Sequence, residues 1–152
     1  MRFVLDTNIL VRSVTGPDGP AAALMRYLES SSDVLVTSTF QLGEFARVLQ
    51  YERIQRIHQL DKERTDRHVR DLERAAIVVP LPATFFEGPV RGDRDDNPII
   101  TTAVVGRANV ICTRDKHFRD PAVQSYCTAC GIQIMTDVEL LAVLRQAGSQ
   151  PN

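Results

Sequence analysis

The sequence predicts an α/β fold, a mainly parallel sheet of about five strands with helices on both faces. Three observations lead there. Strand and helix patterns alternate along the chain, as they do where crossover helices join parallel strands. No internal repeat or low-complexity tract interrupts that alternation. The length, 152 residues, suits one domain with a full core and is short for two. Residues 1–147 therefore read as a single domain and 148–152 as a frayed tail. The crossovers are expected to be right-handed.

The elements follow in order. Arg2–Leu5 is a first strand, stopped by Asp6-Thr7-Asn8. Pro20 opens a helix, since proline is tolerated in a first turn. Its residues Ala21, Leu24, Met25 and Leu28 keep the spacing of one buried face. After the loop Ser30 to Asp33, Val34–Val36 is a second strand. Ser38 and Gln41 make a capping-box pattern for a helix from Thr39 to about Tyr51, with Leu42, Phe45, Val48 and Leu49 as its apolar face. Asp61 to Arg74 is a highly charged helix with the pairs Glu63–Arg67 and Asp66–Arg70, a solvated face by default. Ile77–Val79 is a third strand, closed by Pro80 and Pro82. A long connection to Asp95 carries Phe85 and Phe86. Asn97-Pro98 begins a helix to about Arg107. Val110–Thr113 and Ile132–Met135 are the last strands. Thr136 and Glu139 form a second capping box for a final helix to about Gln146, and Gly148 ends it.

Composition narrows the function classes. A net charge of −1 gives no global attraction to nucleic acid or to a membrane surface, so polyanion binding would need a local patch. No apolar run is long enough to span a bilayer, and no signal-peptide pattern precedes the first strand. Three cysteines, Cys112, Cys127 and Cys130, form no disulfide framework and fit a cytoplasmic protein. Cys127 and Cys130 spell C-x-x-C, but zinc wants four ligands and no second pair follows, so they read as structural or incidental.

The acidic residues carry more information. Asp6 follows the first strand and Asp115 follows the fourth, both just past carboxyl ends of predicted parallel strands, where open α/β sheets place their ligand crevice. Capping is the plain alternative for Asp6, Thr7 and Asn8. Asp93, Asp95 and Asp96 crowd the start of the Asn97 helix, which is more acid than one cap needs. Glu44 shares a helix stripe with Phe40 and Val48, at the edge of a buried face, where it either reaches solvent or pairs with Arg47 or Arg53. Four positions, Asp6, Glu44, Asp96 and Asp115, are thus able to converge at one end of the sheet. Crowded carboxylates repel unless a cation sits among them. Hard oxygen donors select Mg²⁺ or Mn²⁺, one or two ions. Such a site commonly hydrolyses phosphodiesters.

Four stretches, FVLDTNIL, STFQLGEFARVL, RDDNPIITTAV and NVICTRDKHF, together resemble the PIN domain, and most closely the toxin group related to VapC. The resemblance implies a PIN-like α/β/α fold and a Mg²⁺- or Mn²⁺-dependent ribonuclease. It also implies a homodimer inhibited by a small antitoxin chain. It assigns the four acids to Asp6, Glu44, Asp96 and Asp115, with Asn8 as polar support and Thr113 as the hydroxyl beside the last acid. Asp96 is preferred because it directly precedes Asn97; Asp93 and Asp95 compete. Candidate RNA phosphate contacts are Arg12, Arg47, Arg94, Arg114 and Lys116, each near a motif acid, and each individually also an ordinary surface cation. His117 reads as a cap or packing residue before it reads as a general base.

Two other classes stay open. An inactive PIN-like module would bind RNA or protein and cut nothing. A haloacid dehalogenase-type phosphatase also has an Asp after its first strand, but wants a second Asp two residues on, where this chain has Asn8.

Overall fold

The structure is a computed structural model that describes residues 1–83 and 97–148. Phe85, Phe86, Asp93, Arg94, Asp95, Asp96 and the tail from Ser149 lie outside the described residues. The strands are β1 (Arg2–Leu5), β2 (Val34–Ser38), β3 (Ala76–Val79), β4 (Val110–Cys112) and β5 (Gln133–Met135), within a residue or two of the sequence expectation. All pairings are parallel, in the order β3-β2-β1-β4-β5. The chain builds outward from β1 to β3, then returns to the other side of β1 for β4 and β5. The strand order therefore reverses between β1 and β4, which opens a crevice at their carboxyl ends.

A parallel sheet must be covered on both faces. Phe3 and Leu5 point to one side and Val4 to the other, by the two-residue period of a strand. On the first side Phe3, Leu5 and Leu35 meet α1 (Thr7–Thr15), α2 (Pro20–Leu28), α3 (Thr39–Leu49), α5 (Lys62–Ala75) and α8 (Asp137–Gly148). On the second side Val4, Val36 and Ile111 meet α6 (Asn97–Val105) and α7 (Pro121–Ala129). A short helix α4 (Glu52–His58) links α3 to α5. No described helix is long and apolar enough to cross a membrane.

Several elements differ from the sequence reading. Helix α1 replaces the expected stop after β1. Asp6 is its N-cap by backbone position, with Ile9 N and Leu10 N donating to Asp6 O at 2.9 and 3.0 Å. Its carboxylate caps nothing. Helices α4 and α7 were also not expected. The Ser38 box closes only halfway: Ser38 Oγ accepts from Gln41 N at 3.3 Å. The Gln41 side chain turns inward and donates to Leu5 O at 2.9 Å. That bond ties the start of α3 to the end of β1. The Thr136 box closes fully, with Glu139 Oε2 accepting from Thr136 N at 2.7 Å and Glu139 N donating to Thr136 Oγ1. On α5 the Glu63–Arg67 pair forms at 3.0 Å, whereas Asp66 pairs with Lys62 at 2.6 Å in place of Arg70. Such exposed pairs contribute little. Cys112 and Cys127 are buried in the two cores, and burial pushes the Cys127 thiol up to about 11, against thiolate chemistry.

Gly106 follows α6 and lies against β2. A Cβ there would stand 2.3 Å from Val36 Cγ1 and 2.9 Å from Thr102 O, inside contact distance of a core side chain and a backbone carbonyl. Gly106→Ala should destabilise the fold by about 1–3 kcal/mol, the usual cost of overpacking. Urea denaturation at unchanged m-value is the measurement; wild-type stability would show that Val36 and α6 shift freely.

Candidate active site

Three of the four predicted acids, Asp6, Glu44 and Asp115, lie at the crevice at the carboxyl ends of β1 and β4. The main chain continues the β1–β4 ladder one step beyond the strand, with Asp6 N donating to Cys112 O at 2.9 Å. This fixes Asp6 beside Thr113. Asp6 is only 9% exposed. Its Oδ2 accepts from Thr113 Oγ1 at 2.6 Å and from Asn8 Nδ2 at 2.7 Å. Thr113 Oγ1 in turn accepts from Asp115 N at 3.0 Å. One hydroxyl thus positions two acids, by giving its proton to one and its lone pair to the backbone of the other. Asp115 Oδ1 accepts from His117 N at 3.0 Å, which starts the 3-10 turn Lys116–Arg119.

Glu44 enters from α3. Gln41 anchors the first turn of that helix to Leu5 O, and Glu44 follows three residues on, so it lies toward the same strand end. Glu44 Oε2 accepts from Thr7 Oγ1 at 2.7 Å, and Arg47 Nη2 lies 3.5 Å from Oε1. Asp6, Glu44 and Asp115 line one open cavity of about 520 Å³, together with Thr7, Asn8, Val11, Arg12, Val48 and Ile99. Asp96, its competitors Asp93 and Asp95, and Arg94 lie outside the described residues.

Electrostatics mark Asp6 as the strained acid. Burial raises its pKa above the ordinary carboxylate value. The Thr113 hydroxyl and the Thr7 backbone pull it down, while the negative charges of Asp115 and Glu44 push it up again. The donor set is all hard oxygen, which suits Mg²⁺ or Mn²⁺. Asn8 Oδ1 adds a buried acceptor beside Asp6 with no hydrogen-bond partner among the described residues. Yet among the described residues no three His, Cys, Asp or Glu side chains are grouped tightly enough to hold one ion. The residues fit a divalent cation in donor type, as walls of an open cavity and not as a closed cage.

The basic candidates divide. Arg12 lines the cavity. Arg47 lies over the Tyr51 ring, 5.5 Å from its centroid, and donates to Tyr51 Oη. Lys116 is exposed on the 3-10 turn. Arg114 does not behave as a free phosphate contact: its Nε donates to buried Asp137 Oδ1 at 2.6 Å. Neither Thr7 nor Gln41 reads as a site residue in the sequence: Thr7 reads as part of a cap or turn and Gln41 as half of a capping box. Asn8 stands where a dehalogenase-type phosphatase wants its second Asp, and it donates an amide to Asp6.

Comparison with known proteins agrees with this architecture. The PIN domain family model matches residues 2–117. No curated protein matches the chain. Among solved structures the fold is similar to PAE2754 from Pyrobaculum aerophilum, with a TM-score of 0.62 at 17% identity over 96% of this chain and 90% of that one. It is also similar to VapBC2 from Rickettsia felis bound to a DNA fragment from their promoter. There the TM-score is 0.56 at 18% identity, over 81% of this chain and 96% of that one.

The raised Asp6 pKa has a defined sign. The unfolded chain ionises this carboxyl at lower pH than the folded one, so folding loses stability as pH rises from the ordinary carboxylate range through the raised value. Asp6→Asn keeps an acceptor for Thr113 and removes that loss. In metal-free buffer the variant should melt above wild type near neutral pH, and the difference should vanish by about pH 4. A variant that melts below wild type at both pH values would show that the ionised carboxylate is net stabilising.

Proposed function

The chain belongs to the PIN domain family, and on that premise we propose that it is a metal-dependent endoribonuclease acting as the toxin of a toxin–antitoxin pair. The observation that carries the reading is the single cavity at the β1–β4 crevice walled by Asp6, Glu44 and Asp115. The assignment of all three acids, and of Asp96 as a fourth, belongs to this proposal. So does the choice of Mg²⁺ or Mn²⁺.

A divalent cation held by Asp6, Glu44 and Asp115 would supply an activated water and offset charge on the phosphodiester; hydrolysis would form a P–O bond from water, break the P–O3′ bond, and give a 5′-phosphate and a protonated 3′-hydroxyl. The chain's own part is orientation. Thr113 and Asn8 hold Asp6 with one oxygen engaged. Thr7 fixes Glu44 by Oε2 while Arg47 lies against Oε1, and His117 N fixes Asp115. Arg12 at the cavity wall is the cation best placed to meet an RNA phosphate. Arg47 is partly neutralised by Glu44. An antitoxin chain as partner, a homodimer and a cytoplasmic location follow from the resemblance to VapC-related toxins, and the likeness to the VapBC2 structure supports the first.

The alternative is an inactive module of the same fold. One set of assays separates the two. A labelled structured RNA is incubated with the purified chain plus Mg²⁺, Mn²⁺ or EDTA, beside Asp6→Asn and Asp115→Asn prepared identically. The nuclease reading expects cutting that needs metal and falls about a hundredfold or more in either variant. Mn²⁺ at about 100 times its Kd should also stabilise wild type by about 2.7 kcal/mol. Absent cutting together with absent Mn²⁺ binding by calorimetry would establish the binding module instead.

A further inference from the structure

Arg114 and Asp137 form a pair that the proposed chemistry leaves unused. Asp137 is the first residue of α8 and is fully buried. Its Oδ1 accepts from Arg114 Nε at 2.6 Å, and its Oδ2 has no hydrogen-bond partner among the described residues. A negative charge at a helix start is ordinary, but this helix is already capped by Thr136 and Glu139. Burying a carboxylate is costly without a paired cation. Here that cation is Arg114. If Arg114 swung away to a phosphate it would strand the charge, so Arg114 is held where it is.

Its position in the chain gives this consequence. Thr113, Arg114 and Asp115 are consecutive and run on from β4, with Asp115 itself extended at φ −70° and ψ 125°. Side chains alternate along extended backbone. Asp115 lines the cavity and Thr113 holds Asp6 at its wall, whereas Arg114 is absent from that lining and reaches Asp137 on α8, with all three residues also bordering a smaller neighbouring cavity. Thr113 N donates to Met135 O at 2.9 Å, so this segment and the start of α8, two residues past Met135, share one anchor. A pull on the middle side chain therefore sets the facing of its two neighbours.

We infer that Asp137 is a positioning residue that, through Arg114, holds Asp115 facing the cavity and Thr113 within reach of Asp6. The inference rests on the reading of that cavity as the active site. It makes Arg114 a structural lever and not an RNA contact.

The test reads backbone amides as well as metal. Hydrogen exchange is followed by NMR in wild type and Asp137→Asn, metal-free, at Asp115 N and His117 N, the donors to Thr113 Oγ1 and Asp115 Oδ1. Amides of β1 serve as the reference. Both site amides should exchange about tenfold faster or more while β1 is unchanged, as expected where a local hydrogen-bonded unit opens alone. Mn²⁺ affinity by calorimetry should fall about tenfold, the effect typical of losing a partner that orients a ligand. Arg114→Lys, which keeps the charge and loses the fork, carries the same readouts if Asp137→Asn does not fold. Wild-type exchange at both amides in a folded variant overturns the inference. Loss of the fold in both variants also overturns it, in favour of a purely structural pair. A wild-type chain that binds no Mn²⁺, with site amides that still respond to Asp137→Asn, would sink the metal reading and leave the positioning role standing.

Discussion

The buried hydrogen bond from Thr113 Oγ1 to Asp6 Oδ2, 2.6 Å long, is the contact on which the crevice depends. It joins the ends of two strands that are neighbours in the sheet but 107 residues apart in the chain. It also compensates a carboxylate that burial would otherwise push toward protonation. Only a hydroxyl does both jobs, because the same oxygen must donate to Asp6 and accept from Asp115 N. The strand order explains why these two ends meet. β1 lies at the reversal point, so the residue after it faces the residue after β4, and the crevice opens beyond both.

Much of this was legible in the sequence because it is local. Strand ends, capping residues and the four-residue stripe of Glu44 are set by neighbours a few positions away. The number and parallel pairing of the five strands follow from the alternation of strand and helix patterns, whereas their order in the sheet does not. Placing Asp6 and Asp115 just past strand ends was enough to put them in one crevice, since parallel strands carry all such ends to one edge.

What stayed illegible is partner choice. Gln41 reads as the second half of a capping box, yet its amide finds Leu5 O across the sheet, a partner no spacing rule supplies. Asp6-Thr7-Asn8 reads as a strand stop, but the chain turns directly into α1, where the Asp6 backbone carbonyl serves the helix and its carboxylate accepts from Thr113 and Asn8. α7 was missed although Asp120-Pro121 is a fair helix start, with Asp120 Oδ1 accepting from Ala122 N at 2.8 Å. Arg114, read as either a phosphate contact or an ordinary surface cation, pairs with buried Asp137, a partner that adjacency to Asp115 in sequence does not supply.

The distribution of cations is the deeper regularity. Among the described residues Arg47 is engaged by Glu44 and Tyr51, and Arg114 by Asp137. Asp6, the most buried of the cavity acids, is held by neutral donors, a hydroxyl and an amide. Neutral dipoles orient a carboxylate without cancelling its charge. An arginine in their place would quench the field of the cavity and lower the affinity for any positive ligand. A chain selected only for stability would favour such a pair over a desolvated, repelled carboxylate. Burial is the largest cause of the raised Asp6 pKa and the charges of Asp115 and Glu44 add to it, so the neutral donors leave in the cavity the negative potential that the cation proposed there would require.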